Sequence, residues 1–295
     1  MTIDAPRTSS KLSWKELDFR SALRDASVTS TYSIAFSVRS GSTWLCEMLA
    51  QVGLGKPTEY FQYPYEENAN FHGISENDDI GRLISILRRN SVNGIFASKM
   101  THDHRARLEE TLRRDLGDFG SIGSAFPNHK WIYLRRRQVV AQAVSLFIAQ
   151  SSGNWHATQA SSSKIEYSKI SYDFLRILSN LMELAASHVN WECYFSTRRI
   201  EVLEVFYEDL VESPHSTLNA IFGHLQLEGC DVDYGRIATS DKSISGLVPK
   251  IYEETEARFT DDFLRIGQSD DTAHFGPPYT RWVRFFRERS WLRDS

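Results

Sequence analysis

The stretch from Tyr32 to Gly53, YSIAFSVRSGSTWLCEMLAQVG, narrows the folding choices of this chain more than any other. An apolar run (Ile34, Ala35, Phe36, Val38) meets the short loop Arg39-Ser40-Gly41-Ser42-Thr43. Apolar residues at helical spacing follow at once: Trp44, Leu45, Met48, Leu49 and Val52. The pattern predicts a buried strand, a tight turn and a helix. The start of such a helix offers unpaired N–H groups and the positive end of its dipole, which together make an anion site. Small hydroxyl residues and a glycine let an oxyanion reach the backbone, and Arg39 adds a fixed charge with a planar fork of donors. The loop is not GxxxxGK[ST], because no lysine stands before Ser42 or Thr43, and it is not GxGxxG. On loop composition alone, an ordinary strand-to-helix connection capped by a serine fits equally well.

The rest of the composition bounds what that anion can be. The net charge of the 295 residues is −4, so the molecule as a whole is no polyanion binder; a nucleic-acid partner is not expected, and any anion site is local. Cys46, Cys193 and Cys230 are far apart and lack CxxC spacing, which argues against a disulfide framework or a metal site and fits a reducing compartment. No apolar run reaches membrane-spanning length and MTIDAPRTSSKL lacks the apolar core of a signal peptide, so a cytoplasmic protein is expected.

Further buried strands are predicted at 94–102, 130–137 and 199–210, alternating with helices. That alternation reads as an α/β protein: a P-loop-like three-layer fold with a central parallel sheet flanked by helices. The chain divides into an N-terminal extension (1–30, a polar tail plus a helix from Trp14), a main domain (31–266) and a C-terminal extension (267–295). Helices are expected at about 77–90, 103–116, 138–153, 167–195, 213–227 and within 240–266. Residues 56–75 fit neither helix nor strand, because Pro57 and Pro64 interrupt a segment crowded with Tyr60, Phe61, Tyr63, Tyr65 and Phe71. Glu59 sits among these rings. A carboxylate desolvated by aromatic neighbours is tuned toward accepting a proton, although a surface glutamate is the commoner case. Lys99 lies near the carboxyl end of the second strand, where ligands bind in open α/β sheets, with His102 and His104 beside it as a candidate base or as solvent-facing histidines. Arg135, Arg136 and Arg137 end the third strand, and Ser145 follows in the next helix, a second anion pocket unless the arginines serve only solubility. Residues 151–164 read as a polar loop suited to a substrate lid. The segment 277–295 alternates arginines with Trp282, Phe285, Phe286 and Trp291. It fits a helix packed on the core, or one lying on a membrane surface or meeting an anionic acceptor.

Three stretches together resemble sulfotransferases that use 3′-phosphoadenosine 5′-phosphosulfate, and most closely the bacterial Stf-zero branch, whose best-known member sulfates trehalose. They are SVRSGSTWLCEMLAQVGLGKPTEYFQY, YLRRRQVVAQAVSLFIAQSSGNWH and VFYEDLVESP, and the resemblance spans roughly 31–265. It implies that Arg39, Ser40, Gly41, Ser42 and Thr43, with Trp44 behind them, cradle the 5′-phosphosulfate, and that Arg136 and Ser145 hold the 3′-phosphate. The family has one arginine where this chain has three, so Arg135 or Arg137 is an alternative ligand. Tyr207 lies in the tyrosine-containing strand end, and Arg258 matches a late arginine that reaches the cofactor. Glu59 matches the proposed catalytic base of the branch. Lys99-Met-Thr-His102 is one residue longer than the Lys-Thr-His of eukaryotic cytosolic sulfotransferases, so His102 is a second candidate base. The resemblance further implies a carbohydrate or glycolipid hydroxyl as acceptor, a homodimer, and no metal.

Sulfuryl transfer is an in-line displacement whose charge spreads onto the leaving phosphate and the sulfuryl oxygens. By analogy with phosphoryl transfer, it needs positioning, cationic and N–H donors, and one base; Lys99 would offset the charge near sulfur. The competing readings are a P-loop nucleotide kinase or NTPase, for which the Walker lysine is missing and Glu208-Asp209 is the one carboxylate pair at a strand end, and a non-catalytic nucleotide-binding scaffold.

Overall fold

The computed structural model describes residues 13–62, 78–117, 121–155, 167–226 and 250–268. The expectations for residues 1–12, for Tyr63, Tyr65 and Phe71, for most of the 151–164 loop, for 240–249 and for the 277–295 segment lie outside the described residues. The elements run α1 (Trp14–Asp25), β1 (Ser30–Phe36), α2 (Ser42–Gln51), α3 (Asp79–Asn90), β2 (Ile95–Met100), α4 (His102–Leu116), the short α5 (Ile122–Ala125), β3 (His129–Arg135) and α6 (Val139–Ser152). A 3₁₀ turn at Tyr167–Lys169 precedes α7 (Phe174–Arg198), β4 (Val202–Phe206), α8 (Tyr207–Glu212), α9 (Pro214–Leu225) and α10 (Lys250–Gln268).

The four strands form one all-parallel sheet in the order β2-β1-β3-β4, with Ile34 opposite both Lys99 and Ile132. Strands this apolar on both faces must be covered on both, and they are. Tyr32, Ile34, Phe36, Ile132, Leu134 and Val205 point into a core completed by α2 and α9. Ala35, Phe96, Met100, Trp131 and Tyr133 point into an opposite core completed by α1, α3, α4, α5 and the end of α7. The fold is therefore a three-layer α/β sandwich. A third cluster joins α6, α7 and α10, which is why every residue of α6 from Val139 to Ala149 is buried.

The chain leaves β1 for one side of it, at β2, and returns on the other, at β3. The carboxyl ends of β1 and β3 thus flank the crevice where the strand order reverses, the usual ligand position in open α/β sheets. A cleft of about 560 Å³ lined by Phe19, Leu23, Val28 and Phe126 lies at the opposite, amino end of the strands.

Several element boundaries differ from the sequence reading: the second strand ends at Met100 and the third at Arg135, and two larger shifts have a clear cause. The fourth strand stops at Phe206, and Tyr207, Glu208 and Asp209 open a helix instead, because two carboxylates in a first turn complement the helix dipole. The long helix starts at Phe174 rather than Tyr167, set by Asp173, whose side chain accepts from the Arg176 N–H at 3.1 Å. No helix of the described residues is long and apolar enough to cross a membrane.

Candidate active site

The site begins where β1 ends. Trp191 Nε1 donates to the Phe36 carbonyl at 3.2 Å and Gln142 Nε2 donates to the Val38 carbonyl at 2.7 Å, fixing the loop from below through α6 and α7. Two positions of the loop then take positive φ, Arg39 at 64° and Gly41 at 84°. A left-handed arginine costs on the order of 1–3 kcal/mol and persists only where its surroundings hold it, a pattern typical of ligand clamps. Gly41 is required twice over. Its φ suits glycine, and a Cβ there would lie 2.4 Å from Tyr207 Cδ2. Gly41 is also the N-cap of α2 and supplies no side-chain cap, so the start of α2 keeps its N–H groups unspent by a capping side chain. Ser40 is fully buried, and its hydroxyl has no partner among the described residues.

Lys99 joins this loop to Glu59. Its buried ammonium lies 3.1 Å from Thr43 Oγ1, 3.5 Å from Ser42 Oγ and 3.1 Å from Glu59 Oε1, over the Phe36 ring. The chain around Glu59 is placed by the backbone, because the Lys99 N–H donates to the Thr58 carbonyl at 2.9 Å. Tyr60 and Phe61, the described aromatic residues that follow Glu59, are turned to the core. Tyr60 stacks on Phe96 at 5.8 Å and Phe61 is buried in the core, while Glu59 faces the ammonium.

A second group of cations meets the loop from β3 and α6. Arg39 Nε donates to Ser145 Oγ at 3.0 Å, and its Nη1 donates to the Trp155 carbonyl. Burial lowers the Arg39 pKa, Tyr252 on α10 opposes that, and the nearby Arg136 lowers it further. Two guanidiniums that repel one another in a half-buried crevice favour an anion between them. The Arg136 guanidinium stacks over the Tyr207 ring at 4.9 Å, with Trp44 edge-on to the same ring at 6.2 Å.

The other two arginines of the triplet are committed elsewhere. Arg135 pairs with Glu192 at 3.1 Å and Glu204 at 3.4 Å, tying β3 to α7 and β4. Arg137 forms a bidentate pair with Asp209 at 2.6 and 2.7 Å. The start of α6 is no open anion pocket either. Glu208 accepts from the backbone N–H of Arg137 at 3.1 Å and of Gln138 at 3.2 Å, capping that helix with the chain's own carboxylate.

His102 and Arg258 lie apart from this cluster. His102 packs edge-on against Trp191 at 5.7 Å, and Arg105 Nη2 lies 3.0 Å from its Nε2. A guanidinium only donates, so Nε2 is the acceptor and the ring proton sits on Nδ1. Burial, and behind it Arg105, lower the His102 pKa, so the ring is neutral. Arg258 is exposed on α10, stacked over Tyr172 at 4.0 Å and 3.9 Å from Asp262.

Sequence reading missed the groups that α10 and the 3₁₀ turn bring in. Tyr252 and Tyr167 pack edge to face at 6.5 Å and both act on Arg39, while Glu256 lies near Arg136 with its pKa raised by burial. The one signal available was the apolar spacing of α10, which predicts a helix but not the helix's neighbour. Among the described residues no cluster of three or more His, Cys, Asp or Glu side chains has metal-ligand geometry.

The fold is a three-layer α/β sandwich with the Arg39–Thr43 loop at its reversal point and the Glu59 carboxylate held at that loop by Lys99. Residues 31–244 match the model of the Stf0 sulphotransferase family, more than half of the chain, and the chain belongs to that family. It is a sulfotransferase. Comparison with curated proteins gives no match.

Proposed function

We propose that the chain moves a sulfuryl group from 3′-phosphoadenosine 5′-phosphosulfate to a hydroxyl of a carbohydrate or glycolipid, with Glu59 as the base. The observation that carries the reading is the Lys99 ammonium. It touches the two loop hydroxyls on one side and the Glu59 carboxylate on the other, so a proton acceptor stands at the edge of the anion loop. The donor's 5′-phosphosulfate would rest on the N–H groups of α2 and the hydroxyls of Ser42 and Thr43, with Arg39 and Lys99 supplying charge. Its 3′-phosphate would lie by Arg136 and Ser145, the arginine and hydroxyl that Arg39 brings to the same crevice.

The acceptor oxygen attacks sulfur, the bond from sulfur to the bridging oxygen breaks, and its electron pair leaves on the 5′-phosphate. The acceptor's proton passes to Glu59 and then to water, giving a sulfate ester and 3′,5′-bisphosphoadenosine. Glu59 suits the base better than His102, whose acceptor nitrogen already takes a bond from Arg105. Glu59→Gln is expected to cut turnover by about two orders of magnitude or more. Transfer of label from the sulfuryl donor to a glycan and polar-lipid extract measures this. Full activity in that variant, with a large loss in His102→Ala, would move the base to His102.

A further inference from the structure

Lys99 has three N–H bonds and three acceptors within the chain: Ser42 Oγ at 3.5 Å, Thr43 Oγ1 at 3.1 Å and Glu59 Oε1 at 3.1 Å. The ammonium is buried over the Phe36 ring and its backbone is fixed in β2, so it cannot swing away to find a fourth partner. An oxyanion at the start of α2 therefore reaches this ammonium only by taking the place of one of the three. The two hydroxyls belong to the loop and can turn their own protons toward the same anion, which leaves them close to Lys99. Glu59 differs in both respects. Its side chain is 29% exposed and its carboxylate repels the incoming anion. We infer that Lys99 is a positioning residue shared in alternation, holding Glu59 until the sulfuryl donor is seated and then passing its N–H to the donor, which releases the carboxylate toward the acceptor hydroxyl. The base is thus set free only once an oxyanion of the donor occupies the loop. This rests on the donor and base assignments proposed above.

The exchange makes a prediction that simple charge repulsion does not. Glu59→Gln removes both the charge and the ion pair, whereas Glu59→Asp keeps the charge but draws it back from Lys99 by one methylene. If Lys99 must give up Glu59 to bind the anion, both variants bind 3′,5′-bisphosphoadenosine more tightly than the wild type, by about three- to tenfold. Lys99→Met in the Glu59→Gln background abolishes that gain. Because Glu59 is partly exposed, both single variants are expected to fold, and they test the exchange without altering Lys99. Calorimetric titration of the full chain with 3′,5′-bisphosphoadenosine reads the result. An unchanged affinity in Glu59→Asp, with or without a gain in Glu59→Gln, overturns the exchange and leaves the donor assignment standing. Failure of the wild-type chain to bind the bisphosphate overturns the donor assignment itself.

Discussion

Arg136 shows how much a single residue's role depends on its neighbours. Three consecutive arginines are equivalent as letters, and only their partners separate them. Arg135 shares a sheet face with Tyr133 and meets Glu192 and Glu204, Arg137 has turned past the strand to Asp209, and Arg136 alone faces the crevice that holds Arg39 and Tyr207. Arg136→Ala is expected to weaken 3′,5′-bisphosphoadenosine binding by about ten- to hundredfold while leaving adenosine 5′-phosphate nearly unaffected. Arg135→Ala should instead lower the unfolding midpoint and spare affinity, and parallel calorimetric and urea titrations distinguish the two. The strand, turn and helix around the loop were legible from its letters, but an anion-binding use was not, because a plain strand-to-helix connection fits the same residues. Nor was the Lys99–Glu59 contact, since 40 residues separate the pair and they meet through the bond from the Lys99 N–H to the Thr58 carbonyl and the stacking of Tyr60 on Phe96.

At the scale of elements, apolar patterning located all four strands, and the errors fell at their ends, where caps rather than burial decide. Asp173 and the Glu208-Asp209 pair are capping and dipole signals that outweigh the apolar run beside them. Glu208 does more than begin α8, because it also accepts from the N–H groups of Arg137 and Gln138 and so caps α6 with an internal carboxylate. Glu208→Ala should destabilise the fold by about 0.5–2 kcal/mol, the cost of an exposed N-cap, and equilibrium urea unfolding checks it. A loss of that size with donor-product affinity retained would mark the carboxylate as a cap and not a ligand. The placement of α10 over α6 and α7 was not legible, because the 23 residues before it, 227–249, carry no pattern that fixes its direction.

Across the molecule, two buried histidines tie stability to pH. Burial pushes His129 down to about 3, and burial together with Arg135 pushes His188 down to about 4. Below pH 6.5 the unfolded chain binds protons that the folded chain refuses, so stability falls as the pH drops from about 6.5 toward 4 and is flat above 7. Each histidine contributes a slope of about 1.4 kcal/mol per pH unit in that window. Urea midpoints at pH 7.5 and 5 measure it, and His188→Gln should remove about half of the slope; equal midpoints at the two pH values would contradict it. The sheet brings the Arg39–Thr43 loop, Lys99 and Glu59 together at the carboxyl ends of β1 and β2. The most direct test is a calorimetric titration with 3′,5′-bisphosphoadenosine in the presence of a metal chelator. Saturable binding at one site is expected, weakened about tenfold or more when the 3′-phosphate is removed. Absence of binding by the bisphosphate, or a preference for magnesium ATP, would contradict it.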